Sequence, residues 1–138
     1  MKLNDWEINQ ILSADLFRTK PNPSDFLRAK NNEINYYYTC PAKASKYWDT
    51  EGILNHYEEI LSDNNNQDWI WVFDSENFGF AHSLQISTAI GIINILKKYK
   101  HGLKEIRILN PTIYIKSLYN IISPFLSSEL KEIITWKS

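Results

Sequence analysis

A chain of 138 residues with 43% hydrophobic and 14% aromatic content is long enough for one domain with a substantial core, and too apolar for a disordered chain. Its formal net charge of −1 excludes a dedicated nucleic-acid binder, which needs a basic surplus. The single cysteine, Cys40, rules out an internal disulfide and a cysteine-based metal cluster, and it fits a reducing compartment.

Met1-Lys2-Leu3 leads into Asn4-Asp5 rather than an apolar leader, and no apolar run approaches the roughly 20 residues that span a bilayer. The expectation is a soluble, cytoplasmic protein whose membrane contact is peripheral. Residues 5–17 read as a helix. Asn4 and Glu7 have capping-box spacing, and Ile8, Ile11, Leu12 and Leu16 recur on one face. Pro21 and Pro23 break the chain, and Ser24–Lys30 is expected to make one or two helical turns. Ile34–Thr39 reads as the first strand, ended by Pro41, and Ala42–Trp48 as a connector. Asp49 or Thr50 caps a helix whose apolar face is Ile53, Leu54, Tyr57, Ile60 and Leu61.

The most informative stretch is Trp69–Gly79. Trp69-Ile70-Trp71-Val72-Phe73 is short, rich in aromatic and β-branched residues and closed by Asp74, so it reads as a central strand buried on both faces. An aromatic-glycine loop, Phe78-Gly79-Phe80, follows. Open α/β sheets bind ligands at this end of their strands. Leu84–Lys100 is expected to form one long, well-buried helix with Gly102 in the glycine position beyond its end. Glu105–Leu109 is a third strand. Asn110-Pro111-Thr112 opens a helix carrying Tyr114, Ser117, Leu118, Ile121 and Phe125 on one face, and Pro124 ends it. Ser127 caps a short helix through Lys131, and Ile133–Trp136 is a last strand. Alternation of this kind predicts an α/β fold: a single, mostly parallel sheet of four to five strands covered by helices, without repeats or an internal domain boundary.

The residues do not point to catalysis or metal binding. Asp74 and His82 invite comparison with a hydrolase, but no serine lies in a Gly-x-Ser-x-Gly elbow. Both are better read as structuring the loop after the central strand. His56, His82 and His101 lack the spacing of a ligand pair. No catalytic residue, metal or cofactor is expected. Lys97, Lys98, Lys100, Lys104 and Arg107 form the densest basic stretch. It suits either anionic lipid or a solvated helix end with dipole compensation.

Three ordered pieces resemble the CRAL-TRIO lipid-binding family. They are Val72-Phe73-Asp74 with Phe78-Gly79-Phe80 and His82; Tyr99 with Leu103-Lys104-Glu105-Ile106 and Asn110-Pro111; and Ser123-Pro124-Phe125-Leu126. Phe26-Leu27-Arg28-Ala29-Lys30 is similar to the family's Phe-Leu-Arg-Ala-Arg segment. The sequence departs from the family where Tyr-Pro-Glu is Tyr99-Lys100-His101. It departs again where the threonine and lysine that hold a phosphoinositide headgroup become Leu130 and Ile133, with Lys131 beside them. The resemblance implies a minimal member, without the usual N-terminal helical bundle and C-terminal gate segment.

It also implies non-enzymatic binding or intermembrane transfer of a phospholipid, such as a phosphoinositide, or of another hydrophobic ligand. The pocket residues so implied are Tyr36, Tyr38, Trp69, Trp71, Phe78, Phe80, Tyr114, Leu118 and Phe125. Lys131, Ser127, Ser128 and Lys116 would meet the headgroup. The partners expected are the lipid and, transiently, a membrane surface. An open pocket would be covered by the N-terminal helix or by a second copy in a homodimer. The alternative is a ligand-free protein-interaction module on the same scaffold.

Overall fold

The computed structural model describes residues 27–31, 34–44 and 46–138. The helix expected over residues 5–17, and with it the N-terminal cover, falls outside them. Five strands form one sheet in the order β1 (Leu27–Asn31), β2 (Ile34–Thr39), β3 (Trp69–Asp74), β4 (Leu103–Leu109) and β5 (Ile134–Lys137). β1 runs antiparallel to β2, and every later neighbour is parallel. The helical turns expected over Ser24–Lys30 are therefore replaced, from Leu27 onward, by an edge strand: pairing with β2 overrides the local propensity.

The helices are α1 (Thr50–Ser62), α2 (Phe80–Ser83), α3 (Ile86–Lys98), α4 (Ile113–Ile122) and α5 (Ser128–Glu132). Asp49 caps α1 by accepting from the Gly52 amide, Thr112 caps α4 and Ser127 caps α5. The helix expected over Leu84–Lys100 is α3, trimmed to Ile86–Lys98; the short α2 precedes it, and the chain turns at Leu84-Gln85 between the two. Gly102 stands three residues beyond the Tyr99 C-cap of α3, not directly after it. It takes φ +82°, and a Cβ there would run into the Gln67 carbonyl, so it serves the tight approach into β4.

Parallel strands in chain order bring every connecting helix to the same face of the sheet when all the crossovers share one hand, as such crossovers generally do. The packing shows this. Ile53, Tyr57 and Leu61 of α1, Ile95 and Leu96 of α3 and Leu130 of α5 share one core with Trp69, Trp71, Ile106 and Ile108. Ile115 and Leu118 of α4 pack with Phe78 and against Phe73. Gly91 lets α3 approach α1 closely, since a Cβ there would lie 2.5 Å from Leu54 Cδ1.

The alternate side chains form a second apolar cluster on the opposite face: Tyr36, Tyr38, Cys40, Ile70 and Val72. Strand register sets Val72 beside Arg107, and Arg107 beside Thr135. Arg107, 3% exposed, donates twice to Glu105 at 2.9 and 3.0 Å, and Thr135 Oγ1 donates to Glu105 Oε2 at 2.5 Å. A bidentate ion pair thus stands beside this apolar cluster.

Candidate functional site: the apolar cavities beneath α4

The carboxyl ends of β3 and β4 are tied together by Asp74. Its Oδ2 accepts from Tyr38 Oη at 2.5 Å, and its Oδ1 accepts from the Glu76 amide at 3.0 Å and from Asn110 Nδ2 at 3.2 Å. Tyr38 and Asp74 are both buried. Burial, reinforced by Asp74, pushes the Tyr38 hydroxyl well above its ordinary pKa, so it stays a donor. Asn110 takes φ 49°, a conformation asparagine tolerates, and turns the chain into α4. The Phe-Asp and Asn-Pro pieces of sequence are thus two halves of one hydrogen-bonded corner.

The next turn is held by His82 and Thr112. His82 Nδ1 accepts from the Gly79 amide at 2.9 Å, and its ring lies 4.5 Å from that of Tyr47 and 5.3 Å from that of Phe78. Burial lowers the imidazole pKa, which keeps the ring neutral and Nδ1 an acceptor. Thr112 Oγ1 donates to the Phe78 carbonyl at 2.8 Å, fastening the start of α4 to the β3–α2 loop.

Two cavities lie between the helices and the sheet. One, of about 100 Å³, runs under α4 between α3 and the sheet, lined by Trp71, Phe73, Ile92, Leu96, Ile108, Leu118 and further aliphatic residues down to Leu126 and Ile134. The other, of about 80 Å³, lies at the carboxyl end of the strands among Pro41, Tyr47, Tyr57, Phe78 and His82. Both touch Phe73, Ala89 and Leu118, so they are neighbours along one seam. Their combined size is far below the roughly 300–1,000 Å³ of small-molecule sites, so neither holds a drug-sized ligand without rearrangement of its walls.

The residues expected to line one pocket fall into four places. Trp71, Phe78 and Leu118 line the cavities. Trp69, on the same face of β3 as Trp71, is solid core: it is fully buried, stands edge-on to Tyr37 at 5.3 Å and donates to the Tyr99 carbonyl at 3.3 Å. Tyr36 and Tyr38 sit on the opposite face of the sheet. Period-two alternation separates them from the tryptophans, so they do not share a cavity with Trp71. Phe80, Tyr114 and Phe125 are exposed. Of the residues expected near a headgroup, Ser127 caps α5 by accepting from the Leu130 amide at 3.2 Å, while Ser128, Lys131 and Lys116 are exposed.

The basic stretch after α3 is largely neutralised. Lys98 pairs with Glu58 at 2.6 Å, Lys100 with Glu129 at 3.4 Å, Lys104 with Asp68 at 3.7 Å and Arg107 with Glu105. Lys43, Lys46 and Lys116 make no ion pair with the described residues. They share the carboxyl end of the sheet with exposed apolar side chains: Trp48 (58% exposed), Phe80 (63%), Leu84 (57%) and Ile113 (71%). Ring contacts link this edge, Trp48 to Tyr47 at 5.0 Å, Tyr47 to His82, and Phe80 to Tyr114 at 6.2 Å. The grouping was not legible in the sequence, where these residues are spread over about seventy positions.

The CRAL/TRIO domain model matches residues 43–137. No curated protein matches the chain. The family match covers well over half of the sequence, and the chain belongs to the CRAL/TRIO family, whose domains bind or transfer lipids and other hydrophobic ligands. Among the described residues no helix is long and apolar enough to cross a membrane.

Proposed function

We propose that the chain takes up a phospholipid, or a lipid of similar build, in the seam beneath α4 and carries it between membranes. The observation that supports this most is the character of α4. Ile115, Leu118 and Ile122 face the cavities or the core, while Ile113, Tyr114 and Ile121 face solvent. A helix apolar on both sides suits a cover that meets the protein core when closed and lipid when displaced. Each buried methylene contributes about 0.8 kcal/mol, so one acyl chain offsets the parting of α4 from α3.

The cavity reaches Leu126, next to Ser127 and Ser128. A headgroup would therefore emerge beside those serines and Lys131, at the amino end of the sheet, with Lys116 at the other end of α4. Docking would use the carboxyl-end edge, where Trp48, Phe80 and Ile113 enter the interface and Lys43, Lys46 and Lys116 meet anionic headgroups. Reaction chemistry plays no part in this reading.

The test is to incubate the purified chain with vesicles of mixed phospholipids, re-isolate it and extract what is bound. One lipid per chain from a defined class is the expected result. A chain recovered free of lipid from every mixture would overturn the reading in favour of a ligand-free interaction module.

A further inference from the structure

Trp71 is 7% exposed, and its indole N–H is buried without a hydrogen-bond acceptor among the described residues. The neighbouring Trp69 shows the ordinary arrangement, its N–H given to the Tyr99 carbonyl. Around Trp71 stand Tyr57, edge-on at 6.1 Å, and Phe73, edge-on at 5.5 Å, and its ring lines the larger cavity. The lining residues carry only one other side-chain polar atom, the Tyr119 hydroxyl. A resident water needs two to four polar partners and finds too few there. An unmade buried hydrogen bond weighs as much as about a five- to hundredfold change in an equilibrium constant. A phenylalanine would fill the same wall without that cost.

We propose that the Trp71 indole N–H is the ligand site's own hydrogen-bond donor, and that the ligand carries an oxygen acceptor on the part buried beneath α4. The proposal rests on the lipid-carrying reading above and narrows its ligand class. An ester or ketone carbonyl, or a hydroxyl, recovers the missing bond. A pure hydrocarbon chain does not. The acyl ester of a phospholipid and the oxygen of an isoprenoid alcohol or aldehyde offer this same chemistry.

The test compares three ligands of one chain length, an alkane, the primary alcohol and the fatty-acid methyl ester, each delivered to the full chain from cyclodextrin. The expected result is that the wild type binds the alcohol and ester about tenfold more tightly than the alkane, within the range of one hydrogen bond to a buried donor. Trp71→Phe loses this preference and binds the alcohol and the ester no more tightly than the alkane. The wild-type protein gives a second readout independent of the variant's folding: the Trp71 indole proton resonance moves downfield with ester and stays in place with alkane. A phospholipid arm and an isoprenoid-alcohol arm then separate the two sources. Equal wild-type affinity for alkane and ester, or an indole resonance unmoved by a bound ester, overturns the proposal while leaving lipid carriage standing. Binding of none of the three overturns the lipid site and the proposal together.

Discussion

Asp74 shows how one buried carboxylate organises this end of the molecule. It receives Tyr38, Asn110 and the Glu76 amide at once, so β2, β3 and β4 are fixed to each other where the β3–α2 loop begins. Removing the Tyr38 hydroxyl withdraws a hydrogen bond to a charged group, which contributes about 1.5–3 kcal/mol. Tyr38→Phe should lower the unfolding free energy from urea titration by that amount, and a variant as stable as wild type would show that the contact carries no weight. Cys40 is fully buried, and burial pushes its thiol up to about 11. Thiolate is then scarce near neutral pH. Cys40 should react with a thiol reagent only as fast as the chain unfolds, so rapid labelling of the native protein would contradict this burial.

At the scale of the elements, the start of α4 hangs on a turn that depends on a neutral histidine. His82 Nδ1 caps the Gly79 amide, and the turn's Phe78 carbonyl holds Thr112. The folded-state pKa of His82 lies below its ordinary value of about 6.5, so the unfolded chain binds the proton more readily. The contribution of His82 to stability is therefore complete above about pH 6.5 and is lost as the pH falls below it towards the folded pKa. Urea midpoints measured from about pH 7.5 down to about pH 5 should fall in the wild type. In His82→Asn, whose amide oxygen can replace the acceptor without titrating, they should fall less. Parallel curves would remove His82 from the account.

The carboxyl-end edge makes a separate claim. Phe80→Glu with Ile113→Glu changes only exposed side chains, so stability should move by less than about 0.5 kcal/mol. Binding to vesicles containing phosphatidylserine should weaken at least tenfold in a flotation assay. Undiminished binding would move the docking face elsewhere.

Much of the molecule could be read from sequence wherever local chemistry decides. Trp69–Asp74 is a strand because its aromatic and β-branched run admits little else, and Asp49 and Ser127 cap helices because their side chains reach the orphan amides. Leu27–Asn31 could not be read, because leucine, arginine, alanine and lysine favour a helix and only the pairing with β2 overrules them. The site was legible in part. A strand buried on both faces gives no sign of which face the helices take, so Tyr36 and Tyr38 joined Trp71 on paper and are separated by the sheet in space. Asn110 in contact with Asp74, and Tyr47 against His82, depend on register and loop path, which composition does not encode.

For the molecule as a whole, the central claim is that lipid enters the seam between α3 and α4. Ala89 borders both cavities on the α3 side. Ala89→Leu fills that space with apolar atoms and leaves the docking edge and the ion pairs untouched. The deciding measurement is native mass spectrometry of wild type and Ala89→Leu after identical exposure to phospholipid vesicles. The account predicts one lipid on the wild type and a loss of most of that occupancy in the variant. Equal loading of the two chains would contradict it, and would place the lipid somewhere other than beneath α4.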